Sequence, residues 1–367
     1  MPGLELFAEA DRQLTLCNAC RYCEGYCAVF QAIELRREFG KGDVFYLSNL
    51  CHDCRACYYA CMYSPPHEFA INIPKILSEA RAASYEHWSW PGFLGRSFAK
   101  RRVAWLLAVC AAAVVLALAL LLIPASSLWS AHGGPGAFYE VIPYAAMVVG
   151  ALGLSAYWLA VWLRGAVRCW RDTGVARGSG GIKPIARAVG AALGLRYLQG
   201  GGPGCSYPEE RPSAIRRVFH SLVFWGFSCD FVSTTLAYIY QDWLHRLPPY
   251  SFVSGPVIFG AVGGLGLLTG SAGLIWCKVR SDRAPMGTGA YGLDYDFLGI
   301  LGLTALTGLL TLALRATPAL GILLALHLAL VAALFITAPY GKFVHAIYRV
   351  LALVKYYAER DQPRSSA

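Results

Sequence analysis

Apolar positions are spread unevenly along this chain. Through the first hundred residues they are interrupted every few positions by Glu, Asp, Arg and Cys, whereas beyond the basic run Lys100-Arg101-Arg102 they fuse into long stretches. A helix needs about 20 such residues to cross roughly 30 Å of hydrocarbon. Six stretches approach or exceed that length, at approximately 103–123, 139–163, 216–240, 252–277, 296–314 and 318–348, the last overlong and interrupted by Pro339. The Gly-rich passage from Gly260 to Gly273 has linker-like composition. Its unbroken apolarity predicts close helix contact through small residues instead. In the polar third, FQAIELRREFGKGDVFYLSNL reads as a helix up to Phe39, a break at Gly40 and Gly42, and a renewed apolar pattern. The expected fold class is all-α.

Composition sharpens this picture. Of 367 residues, 56% are hydrophobic, a share that belongs in lipid. A net charge of +10 would suggest nucleic acid for a soluble protein, but here the cations sit between apolar runs, so no nucleic-acid partner is expected. The 124–138 loop has no Lys or Arg, 241–251 has only Arg246, and the short fifth turn only Arg315. By contrast, 164–217 holds Arg164, Arg168, Arg171, Arg177, Lys183, Arg187, Arg196, Arg211, Arg216 and Arg217, and Lys278, Arg280, Arg283, Lys342, Arg349 and Lys355 follow on the same side. Lys and Arg concentrate on the cytoplasmic side of a membrane, so both termini are expected there. Within the long loop, Ile182–Leu198 reads as an amphipathic surface helix before a break at Gly200–Gly204. Trp88, Trp90, Trp129, Trp170 and Trp243 fall near the boundaries, where interfacial anchors are expected. No apolar stretch with a small-residue cleavage site opens the chain, so no signal peptide is expected.

The candidate chemistry lies in the cysteines. Two runs share one spacing: Cys17, Cys20, Cys23 and Cys27 in CNACRYCEGYC, and Cys51, Cys54, Cys57 and Cys61 in CHDCRACYYAC. Eight thiols in a reducing compartment indicate metal ligands rather than disulfides. Three cysteines at i, i+3 and i+6 wrap a turn around three irons of a cubane, while the fourth reaches the other cluster. One [4Fe–4S] cluster is then expected on Cys17, Cys20, Cys23 and Cys61, the second on Cys51, Cys54, Cys57 and Cys27. Structural zinc uses paired CxxC units and has no need of a third regularly spaced cysteine. Neither run continues CxxC with His, which excludes covalent haem attachment. Neither fourth cysteine precedes Pro directly; Pro65-Pro66 is expected to break the helix a turn later. The other five cysteines, Cys110, Cys169, Cys205, Cys229 and Cys277, are scattered. They read as ordinary buried or loop residues. Together these features predict a helical ferredoxin-like head with two clusters over 1–99, a six-helix transmembrane domain over 100–355, and a cytoplasmic tail over 356–367.

Three histidines fall in apolar stretches. His220, near the start of the third, and His345, near the end of the sixth, share a depth, and Arg217 and Arg349 lie one turn toward the charged side of each. Facing imidazoles are ordinary axial ligands of a b-type haem, with the two arginines available to its propionates. His327 precedes His345 by 18 residues, roughly 27 Å along one helix at 1.5 Å per residue, and Asp230 is expected at a similar outer depth. For this pair a proton or quinone site, a structural hydrogen bond, and part of a second haem all stand, the structural reading being slightly favoured.

The segments CNACRYCEGYC, CHDCRACYYACMYSPPHEFAINIP, RRVFHSLVFWGFSCDF and APYGKFVHAIYR resemble the membrane iron–sulfur proteins of the tricarballylate and citrate utilisation family, across most of the chain. The resemblance implies a bacterial cytoplasmic-membrane protein with a TcuA-like flavoprotein partner, an FAD-dependent dehydrogenase that oxidises tricarballylate to cis-aconitate. This chain would return its FADH2 to FAD and pass the electrons to quinone. The last helix is also similar to the haem subunit of respiratory nitrate reductase, where a further histidine on the partner helix completes a second haem. Here that position is Asp230. No nucleotide fingerprint or nucleophile elbow is present, so flavin and organic substrate belong elsewhere. A heterodisulfide-reductase-like or cobalamin-pathway subunit is the alternative. A transporter fits poorly without inverted repeats or a charged pathway.

Overall fold

The computed structural model describes residues 2–99, 103–174, 181–200 and 204–361. The basic run 100–102, Arg177, the middle of the 200–204 break and the end of the expected tail lie outside them. The head opens with α1 (Pro2–Cys20), α2 (Ala28–Ile33), α3 (Lys41–Leu50), α4 (Ala56–Tyr59), α5 (Ile73–Trp88) and α6 (Gly92–Ala99). Helix α5 shows why these residues choose helix. Asn72 caps it, its side chain accepting from the Lys75 amide at 3.2 Å, and Pro74 sits in the first turn, where its missing N–H costs nothing. Ile73, Ile76, Leu77, Ala80, Ser84 and Trp88 then recur at helical spacing and are buried.

Two expectations within the head change. Helix α2 stops at Ile33 rather than running to Phe39. Gly42 does not break the chain but lies inside α3, where a Cβ would come within 2.3 Å of the Asp172 carbonyl, so it serves close helix approach.

The membrane part follows as α7 (Val103–Leu122), short outer helices α8 (Ala125–Trp129) and α9 (Ala137–Val141), then α10 (Tyr144–Asp172). After α11 (Ile182–Leu193), a two-residue strand pair β1 (Cys205–Ser206) and β2 (Pro212–Ser213) runs antiparallel. Helices α12 (Ile215–Tyr238), α13 (Gly255–Arg280), α14 (Thr288–Ala313), α15 (Leu320–Thr337) and α16 (His345–Asp361) complete the fold. Among the described residues six helices are long and apolar enough to cross a membrane: α7, α10, α12, α13, α14 and α15. At 29 residues, α10 spans about 43 Å, longer than the hydrocarbon, and its end meets the head where Asp172 accepts from Trp88 Nε1 at 2.9 Å.

Small residues bring α12 and α13 together as expected. A Cβ on Gly226 would lie 2.9 Å from the Gly263 carbonyl, and one on Gly270 2.8 Å from that of Phe219. Large apolar side chains such as Leu121, Leu163 and Phe231 face outward, the arrangement lipid stabilises. Trp129 and Trp243 are exposed at the far end, as anchors would be, but Trp88 is fully buried between head and bundle.

The sixth apolar run is shorter than expected. It ends at Thr337, the chain turns around Pro339, which has no N–H to continue the helix, and after a tight turn at Lys342–Val344 a separate helix begins at His345. Residues 356–361, expected as tail, form the last turns of α16. Its Leu353, Val354, Tyr356 and Tyr357 share one core with Leu14 of α1, Ile33 of α2, Leu47 of α3 and Leu77 of α5. Arg36 pairs with Glu359 at 2.6 Å across this contact. The head is therefore assembled from both ends of the chain.

Candidate metal centres

The eight motif cysteines line two pockets. Cys17 and Cys20 end α1, Cys23 follows in a turn, and Cys61 comes from just beyond α4; with Leu16, Tyr22, Phe30, Met62, Tyr63 and Ile71 they surround one pocket. Cys51 caps the C-terminus of α3, Cys54 lies in the following loop, Cys57 is on α4 and Cys27 precedes α2; they line a second pocket. Each pocket thus gathers three cysteines of one motif and the fourth of the other. Cys61 is not carried on a helix, because α4 ends at Tyr59, well before Pro65.

The local backbone is bent to do this. Arg21, Asp53 and Arg55, all inside the CxxC spacers, have φ of 55°, 53° and 65°. Non-glycine residues in that left-handed region cost on the order of 1–3 kcal/mol each and persist where the surroundings enforce them. Burial, aided by the neighbouring thiols, pushes Cys17, Cys23 and Cys27 up to about 12, and Cys54 and Cys57 well above the ordinary range. Such a crowd of thiols favours the neutral form until a metal holds the thiolates. Among the described residues no three His, Cys, Asp or Glu side chains converge closely enough for one metal ion, so the thiols stand around a volume rather than a point. That donor set fits a multi-iron cluster better than a single zinc.

The two pockets differ in setting. Cys20 is exposed at the first. The second lies beneath the bundle, closed by Tyr197 and by β1, whose Ser206 amide donates to the Cys54 carbonyl at 2.9 Å. Four arginines surround it. Arg81 and Arg349 both donate to the Cys51 carbonyl, at 2.5 and 2.9 Å, Arg216 donates to that of Asp53 at 2.7 Å, and Arg55 is almost fully buried. Three of the four were not singled out by sequence. Arg81 had a signal, since it interrupts the apolar stripe of α5 between Leu77 and Tyr85. Cys205, read as ordinary, is buried beside Arg216.

Above the second pocket His220 and His345 face each other, ring centres 6.2 Å apart and nearly perpendicular at 85°. His345 opens α16 rather than closing the sixth span, and its Nδ1–H donates to the Lys342 carbonyl at 2.5 Å, which leaves Nε2 free. Burial, with cations nearby, holds its imidazole well below the ordinary range, in the neutral ligand form. Buried His220 Nδ1 has no hydrogen-bond partner. The arginines expected at haem propionates are placed elsewhere: Arg349 at the Cys51 carbonyl, and Arg217 donating to that of Gly194 at 3.1 Å. A buried group that sequence missed lies nearby, Asp294 between Lys278 and Lys342 at 2.5 and 2.8 Å. It escaped because the fifth span was expected to begin at 296.

His327 and Asp230 do not share an interface. His327 Nδ1 contacts the Thr304 carbonyl at 3.1 Å and Thr307 Oγ1 at 3.2 Å on α14, whereas Asp230 packs at Gly263 on α13. His327 and His345 lie on different helices, so the 27 Å separation along one helix does not apply.

The description of the citrate utilization protein B family matches residues 98–366, and that of its Fer4-like domain matches residues 10–87. Citrate utilization protein B of Escherichia coli is 41% identical over 98% of this chain and 94% of its own length. No solved structure matches the chain. The chain belongs to the citrate utilization protein B family, as a multi-pass membrane protein with a ferredoxin-like iron–sulfur head.

Proposed function

We propose that this chain carries electrons from a reduced flavoprotein dehydrogenase, docked on a cytoplasmic head, to quinone in the membrane. Two [4Fe–4S] clusters and one b-type haem, when bound, supply one-electron relays; the chain's residues hold and insulate them. The observation that carries the reading is the crossed gathering of eight thiols around two pockets. Cys17, Cys20, Cys23 and Cys61 would hold one cluster, and Cys27, Cys51, Cys54 and Cys57 the other. His220 and His345 would ligate the haem. Their ring centres stand 6.2 Å apart, within the span that two imidazoles binding one iron would need, at about 2 Å per metal–nitrogen bond.

Arg349 links the sites, donating to the Cys51 carbonyl from a position one turn along α16 from His345. Lys278, Arg283, Lys342 and Arg349 share the head end of the bundle with the thiol pockets, which supports a cytoplasmic head in a bacterial inner membrane. The relative's name points to citrate utilisation, and the motif resemblance to tricarballylate as the partner's substrate. A second haem is not proposed, because the expected partner position, Asp230, packs at Gly263 on α13 rather than facing His327 on α15.

The test is iron quantitation and a reduced-minus-oxidised spectrum of purified protein. About eight cluster irons and one haem per chain are expected. Replacing His220 or His345 with Ala should abolish the α-band while leaving the clusters reducible by the reduced partner. Unchanged haem in both variants would refute the ligand pair, and clusters that the partner cannot reduce would refute the donor.

A further inference from the structure

The charge around the two thiol pockets is unequal. At the second, Arg81 donates to the Ser48 and Cys51 carbonyls at 2.7 and 2.5 Å, and Arg349 joins it at Cys51 with an Nε that has no hydrogen-bond partner. Arg216 and Arg55 both lie over Tyr207, 4.9 and 4.2 Å from the centre of its ring. These guanidiniums come from α5, α16, α12 and the Cys54–Cys57 turn, so four separate elements deliver cations to one place. The carboxylate among them is Asp53, 3.9 Å from Arg55 Nε; that of Asp282 is turned to Tyr59 and to the Ala284 amide. At the first pocket the nearby cation Arg12 is neutralised by Glu9, and Arg21 lies at the surface holding the Asn18 carbonyl.

Cluster potential follows net charge, hydrogen bonding and exposure. Reduction adds one negative charge, which water or nearby cations stabilise. The first pocket has water at Cys20. The second is less accessible to water, with Cys51 buried and Cys27, Cys54 and Cys57 partly buried, so burial alone would lower its potential. The same exclusion leaves the excess of arginine charge undiluted by solvent.

Resting on the reading above, we propose that Arg55, Arg81, Arg216 and Arg349 raise the potential of the Cys27–Cys51–Cys54–Cys57 cluster above that of the surface cluster. Electrons then enter at the exposed pocket and collect beside the bundle. For each transfer the surface cluster loses one electron as the inner one gains it; the partner's reduced flavin replaces the first, and the haem and then quinone remove the second.

The experiment is a redox titration of the full-length protein followed by electron paramagnetic resonance, with Cys20→Ser assigning the surface signal. We expect the inner cluster to titrate at the higher potential. Arg349→Gln and Arg81→Gln should lower that midpoint and leave the surface one unmoved, while Arg349→Lys, which keeps the charge, should retain most of it. An inner cluster titrating below the surface one, or Gln variants with full iron content and unmoved midpoints, would overturn the inference alone. Wild-type protein without cluster iron would sink the parent reading and this one together.

Discussion

The two thiol pockets begin from the same spacing and end in different places. The first is closed by the end of α1 and a surface turn, with Cys20, Tyr22 and Met62 exposed at its rim. The second is roofed by β1, backed by α16 and enclosed by arginines from the bundle and the head. Spacing therefore specifies the ligand set, while the elements that pack behind each loop decide access to water and charge. One pocket opens at the surface of the head, the other faces the membrane half of its own chain.

The largest test removes a ligand. Cys57→Ser should abolish the inner cluster and, because that loop ties to Asp282 and β1, also loosen head from bundle. Cys20→Ser should cost only the surface cluster. Each should halve the iron, four of about eight atoms. Cys61→Ser must behave like Cys20→Ser although it belongs to the second motif; if it spared the surface cluster, the crossed arrangement would be wrong. Next in size, an iron chelator or slow oxidation should strip the surface cluster several-fold faster, read as sequential loss of the two resonance signals. Simultaneous loss would erase the contrast between the pockets.

A packing change should also discriminate. Leu353 on α16 is fully buried against α3, whose C-terminus carries Cys51. Leu353→Ala should cost about 2–5 kcal/mol of head stability, as core truncations do. In chelator challenge it should speed iron loss from the inner pocket more than from the outer one. Equal effects would mean that α16 supports the head as a whole rather than one pocket.

Much of this was legible beforehand, for particular reasons. The cysteine spacing repeats and needs no tertiary information, so the crossed grouping of the eight cysteines around two pockets could be read. All six spans followed from apolar length, the sixth read overlong. What failed was whatever depended on distant packing. The head core borrows α16, which begins 257 residues after α5 ends (Trp88 to His345), and its amphipathic pattern after Pro339 was absorbed into a sixth span. Gly42 looked like a break because the Asp172 carbonyl that requires it is far away in sequence. Arg216 adjoins Arg217 and is indistinguishable from it by position, yet one reaches the Asp53 carbonyl and the other a surface loop.

The smallest expected effect concerns the ties that hold the surface pocket. Arg12 pairs with Glu9 one turn away at 2.6 Å and also donates to the Phe69 carbonyl at 3.1 Å, joining α1 to the segment after Cys61. Both side chains are about two-fifths exposed, at 43% and 41%, so solvent screens the pair. The hydrogen bond from Arg12, against an opposing cost of burial, holds the Glu9 carboxyl below its usual range. A depressed carboxyl contributes stability that is present above its unfolded value and lost as pH falls through the folded one, here below about pH 4.3. Glu9→Gln should therefore destabilise the head by no more than about 0.5 kcal/mol at neutral pH, and by nothing in acid, where wild type has already lost the pair. Equilibrium unfolding of the two proteins at neutral and acidic pH gives the comparison. A loss near that of Leu353→Ala, or one that persisted in acid, would mean that the surface pocket is built as rigidly as the inner one.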